Sequence, residues 1–183
     1  AWMVALGAVF SAVWIVVANS WQQTPAGFHI VGEGAAARAE ITDFWAMVFN
    51  PSSVDRLLHV LIGAYILGAF FAMSIASYYM LKGRHLDFAR KTFVISLIVG
   101  TFFSLAAPLQ GHFQADTVAH TQPAKLAAFE GLYRTTEGGT PMGIMGWVDE
   151  DAETVRYELA VPGLLSFLLY GDPGKPVPGL DRI

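Results

Sequence analysis

The sequence predicts an all-α fold, a fragment of a polytopic transmembrane helical bundle that carries a long extracytoplasmic loop. Of its 183 residues, 54% are apolar and only 14% are charged, whereas an ordinary soluble domain has roughly 45–50% apolar and about 25% charged residues. Three apolar segments are long enough to cross a bilayer. A largely polar segment, 110–183, follows the last of them.

The composition also excludes several classes of function. The formal net charge of -4 gives no basic excess, which argues against nucleic acid as a partner. The chain has no cysteine, so disulfides, Cys-ligated iron–sulfur clusters, c-type haem attachment and cysteine nucleophiles are excluded. The chain starts within an apolar run at Ala1, without a start Met or a charged segment. We therefore expect an internal fragment of a longer protein rather than a signal peptide.

The three apolar segments are residues 1–21, 57–81 and 92–109. In the first segment, Trp2 and Trp21 stand at opposite ends. Their separation is about 28 Å along a helix, so the two indoles would sit at the two faces of a bilayer core of about 30 Å. The second segment contains no Asp, Glu, Lys or Arg. Each segment is therefore predicted to be a transmembrane helix.

The polar connections differ in their content of basic residues. The turn at 82–91 has four Lys or Arg in ten residues, whereas the longer loop at 22–56 has only two. Because basic residues accumulate in cytoplasmic connections, the turn at 82–91 is predicted to be cytoplasmic. The loop at 22–56 and the long loop at 110–183 are then extracytoplasmic.

His59 is the first residue that could carry chemistry, because it lies just inside the apolar segment 57–81. An imidazole in a membrane is costly unless it has a partner or a function. Histidine is a usual axial ligand of b-type haem, and Gly63, one turn further on, would leave room for a flat macrocycle. The alternative is a histidine that packs against a neighbouring helix, and spacing alone favours that alternative.

A second candidate group begins at Pro123, which fits the first position of a helix. Lys125 and Glu130 are five residues apart, about 140° around such a helix, so they would not pair directly. They could still border one pocket with Gln122. A lysine and a glutamate at the membrane edge could bind a quinol head group and accept its protons. On spacing alone, a solvated helix in which Glu130 pairs with Arg134 is favoured.

Four blocks of the sequence resemble subunit I of cytochrome bd-type quinol oxidases in order and spacing. The most specific is QPAKLAAFEG at 122–131, which is similar to the quinol-loop signature of that subunit. Residues 14–27 resemble the end of its fourth span, and residues 58–65 resemble its fifth span. Residues 79–84 with 88–91 resemble the cytoplasmic turn before its sixth span. The chain is therefore identified as a fragment covering the fourth to sixth spans and the quinol loop.

The resemblance implies roles for four residues. His59 matches the axial histidine of the low-spin haem b, the first acceptor of electrons from quinol. Lys125 and Glu130 match two loop residues associated with quinol binding and oxidation, and Gln122 stands at a third such position. The implied activity is that of a quinol:oxygen oxidoreductase, which takes electrons from ubiquinol or menaquinol and reduces oxygen to water. Its implied location is the bacterial inner membrane, with loop 110–183 on the periplasmic side.

The resemblance also implies what this chain lacks. The second axial ligand, a methionine, and the ligands of a second haem b and of haem d would lie outside it. So would the oxygen site, a second oxidase subunit and small single-span subunits. Residues 111–112 are Gly-His where many members have Gly-Asp, so no role is assigned to His112.

Two alternatives remain open from the residues alone. The chain could belong to a non-catalytic membrane subunit or a transporter, with His59 as a packing residue. It could also belong to a different di-haem cytochrome, which would normally show two histidines per span.

Overall fold

The computed structural model describes residues 1–183 and divides into two compact units, Ala1–Gly111 and His112–Ile183. Each unit is described by itself. The first contains three long helices and a small hairpin; the third helix continues past the boundary. Its elements are α1 (Trp2–Gln23), β1 (Phe28–Val31), β2 (Arg38–Ile41), α2 (Phe44–Val48), α3 (Ser53–Leu81) and α4 (Leu86–Thr121).

Three of these helices, α1, α3 and α4, are long and apolar enough to cross a membrane, with 22, 29 and 36 residues. Each predicted apolar segment lies almost entirely within one of them. The helices extend further than the apolar segments because backbone hydrogen bonding does not require apolar side chains. α3 begins four residues before the predicted segment 57–81. α4 continues through Pro108 to Thr121, although the sequence predicted that the span ends near this proline.

A buried cluster of polar side chains joins the end of α1 to the start of α3. Thr24 Oγ1 lies 2.6 Å from Ser52 Oγ and 3.1 Å from Asn50 Oδ1. Asn50 Nδ2 donates to Ser20 Oγ at 3.0 Å and to the Met47 carbonyl at 3.0 Å. Because every member has a partner, these groups can be buried without the cost of an unsatisfied polar atom.

Small residues bring α3 and α4 close together. A Cβ on Gly100 would lie 3.4 Å from the Cβ of Ala69, and Ala69 is buried. The rings of Tyr65 and Phe103 stack with centroids 4.6 Å apart and 7° between their planes. Close approach over small residues is the usual way in which membrane helices gain packing contacts.

The second unit combines the end of α4 with short helices and a hairpin. Its core consists of five buried apolar residues: Val118, Leu126, Leu165, Leu169 and Val177. Thr140 is completely buried and ties two segments together, because its backbone N–H donates to Ser166 Oγ at 2.6 Å and its Oγ1 accepts from the Val177 N–H at 2.9 Å. The elements of this unit after α4 are α5 (Pro123–Phe129), β3 (Met142–Asp149), β4 (Thr154–Val161), α6 (Leu164–Tyr170) and a 3-10 turn (Leu180–Arg182).

The expectations of an all-α fold and of a long loop at 110–183 are not confirmed. Two antiparallel hairpins, β1–β2 and β3–β4, occupy parts of the chain that the sequence assigned to loops at 22–56 and 110–183. The acidic run after β3 forms the turn of the second hairpin, in which Asp149 Oδ1 accepts from the Ala152 N–H at 3.0 Å. The apolar residues 159–170 are divided between β4 and α6 at Gly163, whose φ of +68° ends the strand. Short strands with mixed polar and apolar residues give little periodic signal, so hydropathy missed them.

Candidate functional site

His59 lies on the second turn of α3, and the structure gives it one polar partner. Its Nδ1 is 2.6 Å from Oε1 of Gln110 on α4. Nε2 of the same amide donates to the backbone carbonyl of Asp55 at 2.6 Å. The imidazole is otherwise exposed on the surface of this unit, and its second ring nitrogen makes no hydrogen bond within the unit.

The surface beside His59 suits a flat ligand. A Cβ placed on Gly63, one turn further along α3, would meet no atom within 4 Å. The chain contains no group of three or more His, Asp or Glu side chains able to hold a metal ion. Haem iron can be held by one histidine of a chain, so a single imidazole such as His59 would be enough for it. The residues present fit such a group.

Arg56 lies one turn before His59 and adds positive charge at this end of α3. Its Nη2 donates to Gln23 Oε1 at 2.6 Å and its Nη1 to Asn19 Oδ1 at 3.3 Å, both on α1. Its Nε is buried and has no hydrogen-bond partner. A buried guanidinium N–H without an acceptor is uncommon. Arg56 therefore has one buried donor that the side chains of this unit leave unsatisfied.

The structure places the three predicted quinol residues on α5 and at its two ends. Gln122 is the residue before the helix, Lys125 is on its first turn and Glu130 is the residue after it. The Lys125 N–H donates to the Gln122 carbonyl at 3.0 Å, and Lys125 Nζ lies 5.5 Å from the ring centroid of Phe129. The predicted helix start at Pro123 is confirmed, since Pro123 is the first residue of α5.

Two of these residues have polar groups in unusual environments. Gln122 Nε2 is buried without a hydrogen-bond partner, so this amide has an unused donor. Glu130 is half-buried, and burial raises the pKa of its carboxyl group above the ordinary 4.5. Arg134 does not form the ion pair with Glu130 that spacing favoured; the ion pairs of the chain include Arg38–Glu40, His120–Asp116 and Arg156–Asp149.

A cleft of about 140 Å³ opens beside Glu130, and the second hairpin forms its other wall. Glu158 of β4 lines the same cleft, and its Oε1 would lie 2.7 Å from a Cβ on Gly143. Any larger residue at 143 would therefore displace this carboxylate. No local pattern connects the two glutamates, because Glu130 directly follows α5 whereas Glu158 lies on β4, 28 residues further along the chain.

Sequence reasoning also missed Gln110 as a partner of His59. It was assigned to the loop after 92–109, whereas it lies inside α4 and is only 7% exposed. The sequence did offer one signal for Gln110, because an amide side chain at the end of an apolar segment needs a polar partner if it is buried.

The three long apolar helices indicate a helical membrane protein. It carries a histidine near the start of α3 and a second unit with buried polar donors and acceptors. The chain belongs to the cytochrome bd terminal oxidase subunit I family, whose sequence model matches residues 1–183. The resemblance found in the sequence is thus confirmed.

Individual relatives agree with this assignment. The chain is 37% identical over 182 residues to cytochrome bd-II ubiquinol oxidase subunit 1 of Escherichia coli, covering 100% of this chain and 35% of that protein. It is 35% identical to cytochrome bd ubiquinol oxidase subunit 1 of Bacillus subtilis, covering 100% of this chain and 38% of the relative. The solved bd oxidase from Geobacillus thermodenitrificans matches with a TM-score of 0.82 and 32% identity, over 97% of this chain and 40% of that chain. The chain thus spans well under half the length of these relatives.

Proposed function

We propose that this chain is part of the catalytic subunit of a membrane quinol:oxygen oxidoreductase, to which it contributes one axial ligand of a low-spin haem b and part of the quinol site. Membership of the cytochrome bd family supports the activity. The observation that carries the haem assignment is the contact between His59 Nδ1 and Gln110 Oε1. That contact occupies one ring nitrogen and leaves the other for iron.

When bound, haem b supplies a centre that takes up and passes on one electron at a time. His59 would hold its iron, and the bare backbone at Gly63 would let the macrocycle lie against α3. Arg56, one turn before His59, would add positive charge near the carboxylates of such a group, because a guanidinium favours carboxylates. The second axial ligand would come from a methionine outside this chain.

The quinol would bind beside α5. The unused amide donor of Gln122 would hold an oxygen of the head group, and Lys125 would add positive charge. Glu130 would accept a proton as the quinol is oxidised, because a partly buried carboxylate with a raised pKa is a better general base near neutral pH than an ordinary glutamate. The proton would leave on the outer side of the membrane, where the charge asymmetry of the chain predicts residues 110–183 to lie.

Other parts of the enzyme lie beyond this chain. A second haem b and haem d, the oxygen-reducing site, a second subunit and small single-span subunits belong to the remainder of the complex. The substrate is ubiquinol or menaquinol, and the enzyme resides in the bacterial inner membrane. The relatives' names refer to ubiquinol for the two subunit 1 proteins and to menaquinol for a third, putative B. subtilis oxidase.

Replacement of His59 tests the proposal in the complete oxidase. We expect His59→Ala to remove the low-spin haem b band from the reduced-minus-oxidised absorbance spectrum, because no other side chain of this unit offers iron a nitrogen at that place. His29→Ala, on the exposed face of β1, is the control and should leave the band intact. An unchanged band in His59→Ala would reduce His59 to a packing residue, as in the non-catalytic alternative.

A further inference from the structure

Gln110 is a buried amide near the end of the apolar stretch of α4, two residues after Pro108. Both polar ends of its side chain contact α3. Oε1 lies 2.6 Å from His59 Nδ1, and Nε2 lies 2.6 Å from the Asp55 carbonyl oxygen. Gln110 is only 7% exposed, so the amide depends on these two contacts for its hydrogen bonds.

These two contacts fix the orientation of the amide and the tautomer of the imidazole. A backbone carbonyl can only accept, so the group that faces Asp55 must be the Gln110 nitrogen. The group that faces His59 is then the amide oxygen, which can also only accept. His59 Nδ1 must therefore carry the hydrogen, and in the neutral ring Nε2 holds the free lone pair that a metal requires.

The same two contacts fix the plane of the ring. Asp55 precedes His59 by four residues, so its carbonyl also accepts the backbone N–H of His59 in an α-helix. Gln110 thus bridges the imidazole and the helical turn that carries it. Rotation of the ring about its Cβ–Cγ bond would break the 2.6 Å contact.

We infer that Gln110 is the positioning residue for His59: it selects the Nδ1–H tautomer, holds the ring plane and increases electron donation from Nε2 to iron. This inference rests on the proposed function, because it requires His59 to be the haem ligand. A hydrogen-bond acceptor on the far nitrogen makes a ligating histidine more basic. A more basic ligand favours ferric over ferrous iron, so Gln110 lowers the reduction potential of this haem.

The test uses the complete oxidase with Gln110→Met, which has similar volume but no acceptor, and Gln110→Glu, which has a stronger one. The readouts are the midpoint potential from a spectroelectrochemical titration and the electron paramagnetic resonance spectrum of the ferric low-spin haem. We expect the ferric-to-ferrous ratio at a fixed ambient potential to fall about tenfold in Gln110→Met, which corresponds to about 59 mV for one electron. Gln110→Glu should shift the ratio in the opposite direction.

A matched control removes another hydrogen bond from α3. Ser77 Oγ donates to the Met73 carbonyl at 2.8 Å, about 27 Å along the helix from His59, so Ser77→Ala should leave both readouts unchanged.

Loss of the haem from Gln110→Met alone, with the complex still assembled, would also support the inference. An unchanged potential and resonance spectrum in Gln110→Met, shifts of the same sign in both variants, or haem loss from both would overturn it. If His59→Ala kept its haem, the proposed function itself would fail, so the two failures are distinguishable.

Discussion

Glu130 illustrates how burial changes the acidity of a single residue. Its carboxyl group is half-buried beside a small cleft, and desolvation raises its pKa above 4.5. The carboxylate is the form that accepts a proton. Because the pKa is raised, the Glu130 carboxylate becomes protonated at a higher pH than an ordinary glutamate does. The folded state therefore favours the protonated carboxyl group.

This shift predicts a pH dependence of quinol oxidation. We expect kcat/KM to fall as the pH decreases through the raised pKa of Glu130, so the acid limb lies above 4.5. Glu130→Gln should remove that limb and lower the rate by about 10²–10⁴-fold, because an amide cannot accept the proton. Stopped-flow or steady-state quinol oxidation across pH would measure both effects.

Glu137→Gln serves as the matched control, since Glu137 is exposed and lies outside the cleft. Its profile should match that of the unsubstituted enzyme. A Glu130→Gln enzyme with normal turnover and an unchanged acid limb would remove Glu130 from the role of proton acceptor.

Among the secondary-structure elements, the junction between α1 and α3 depends on a polar cluster rather than on apolar packing. Ser20, Thr24, Asn50 and Ser52 are all 7% exposed or less. Asn50 is central, because it contacts Thr24, Ser20, the Met47 carbonyl and the Ser52 backbone N–H. The cluster fixes how the chain enters α3 and thus supports the helical turn that carries His59.

Asn50→Ala should destabilise this junction. The substitution leaves several buried donors and acceptors without partners, at a cost of about 1–3 kcal/mol in unfolding free energy. The measurement is thermal unfolding of the purified oxidase, followed by the loss of its low-spin haem band. Asn19→Ala is the control, because Asn19 is exposed and makes only long contacts of 3.3 and 3.4 Å. Equal unfolding temperatures for the two variants would show that the cluster contributes no net stability.

Element boundaries show where local sequence reasoning succeeded and where it stopped. Pro123 marked the start of α5 because proline at the first helical position is a local signal. Pro108 does not end α4, which continues to Thr121, so a proline inside a long apolar helix is a weak local signal for the end of the helix. The strands β3 and β4 were missed because their stability comes from pairing with each other, as in Trp147 with Arg156, and not from a pattern within either strand.

For the molecule as a whole, the predicted membrane orientation rests on an uneven distribution of basic residues. The turn at 82–91 holds four of the eleven Lys and Arg residues of the chain. The positive-inside rule predicts that turn to be cytoplasmic and residues 110–183 to be outside. The proposed release of quinol protons to the outer side depends on this arrangement.

Site-directed labelling measures the orientation directly, since the chain has no native cysteine. Ala152→Cys lies in the exposed turn of the β3–β4 hairpin, and Asp87→Cys lies on the exposed start of α4. In an oxidase without other accessible cysteines, a membrane-impermeant maleimide should label residue 152 in intact cells. It should label residue 87 only after permeabilisation. The reverse labelling pattern would invert the predicted topology and place residues 110–183 in the cytoplasm.

The order of amino acids was enough to predict the three apolar helices, the family and the short list of His59, Gln122, Lys125 and Glu130 as site candidates. These features follow from composition and from motifs within a few residues, which are local properties of the chain. Three-dimensional packing was needed to reveal that Gln110 faces His59 across 51 residues and that Glu158 lines the cleft of Glu130. Such contacts depend on how helices and strands pack, and a buried polar group finds its partner through space and not through spacing along the chain.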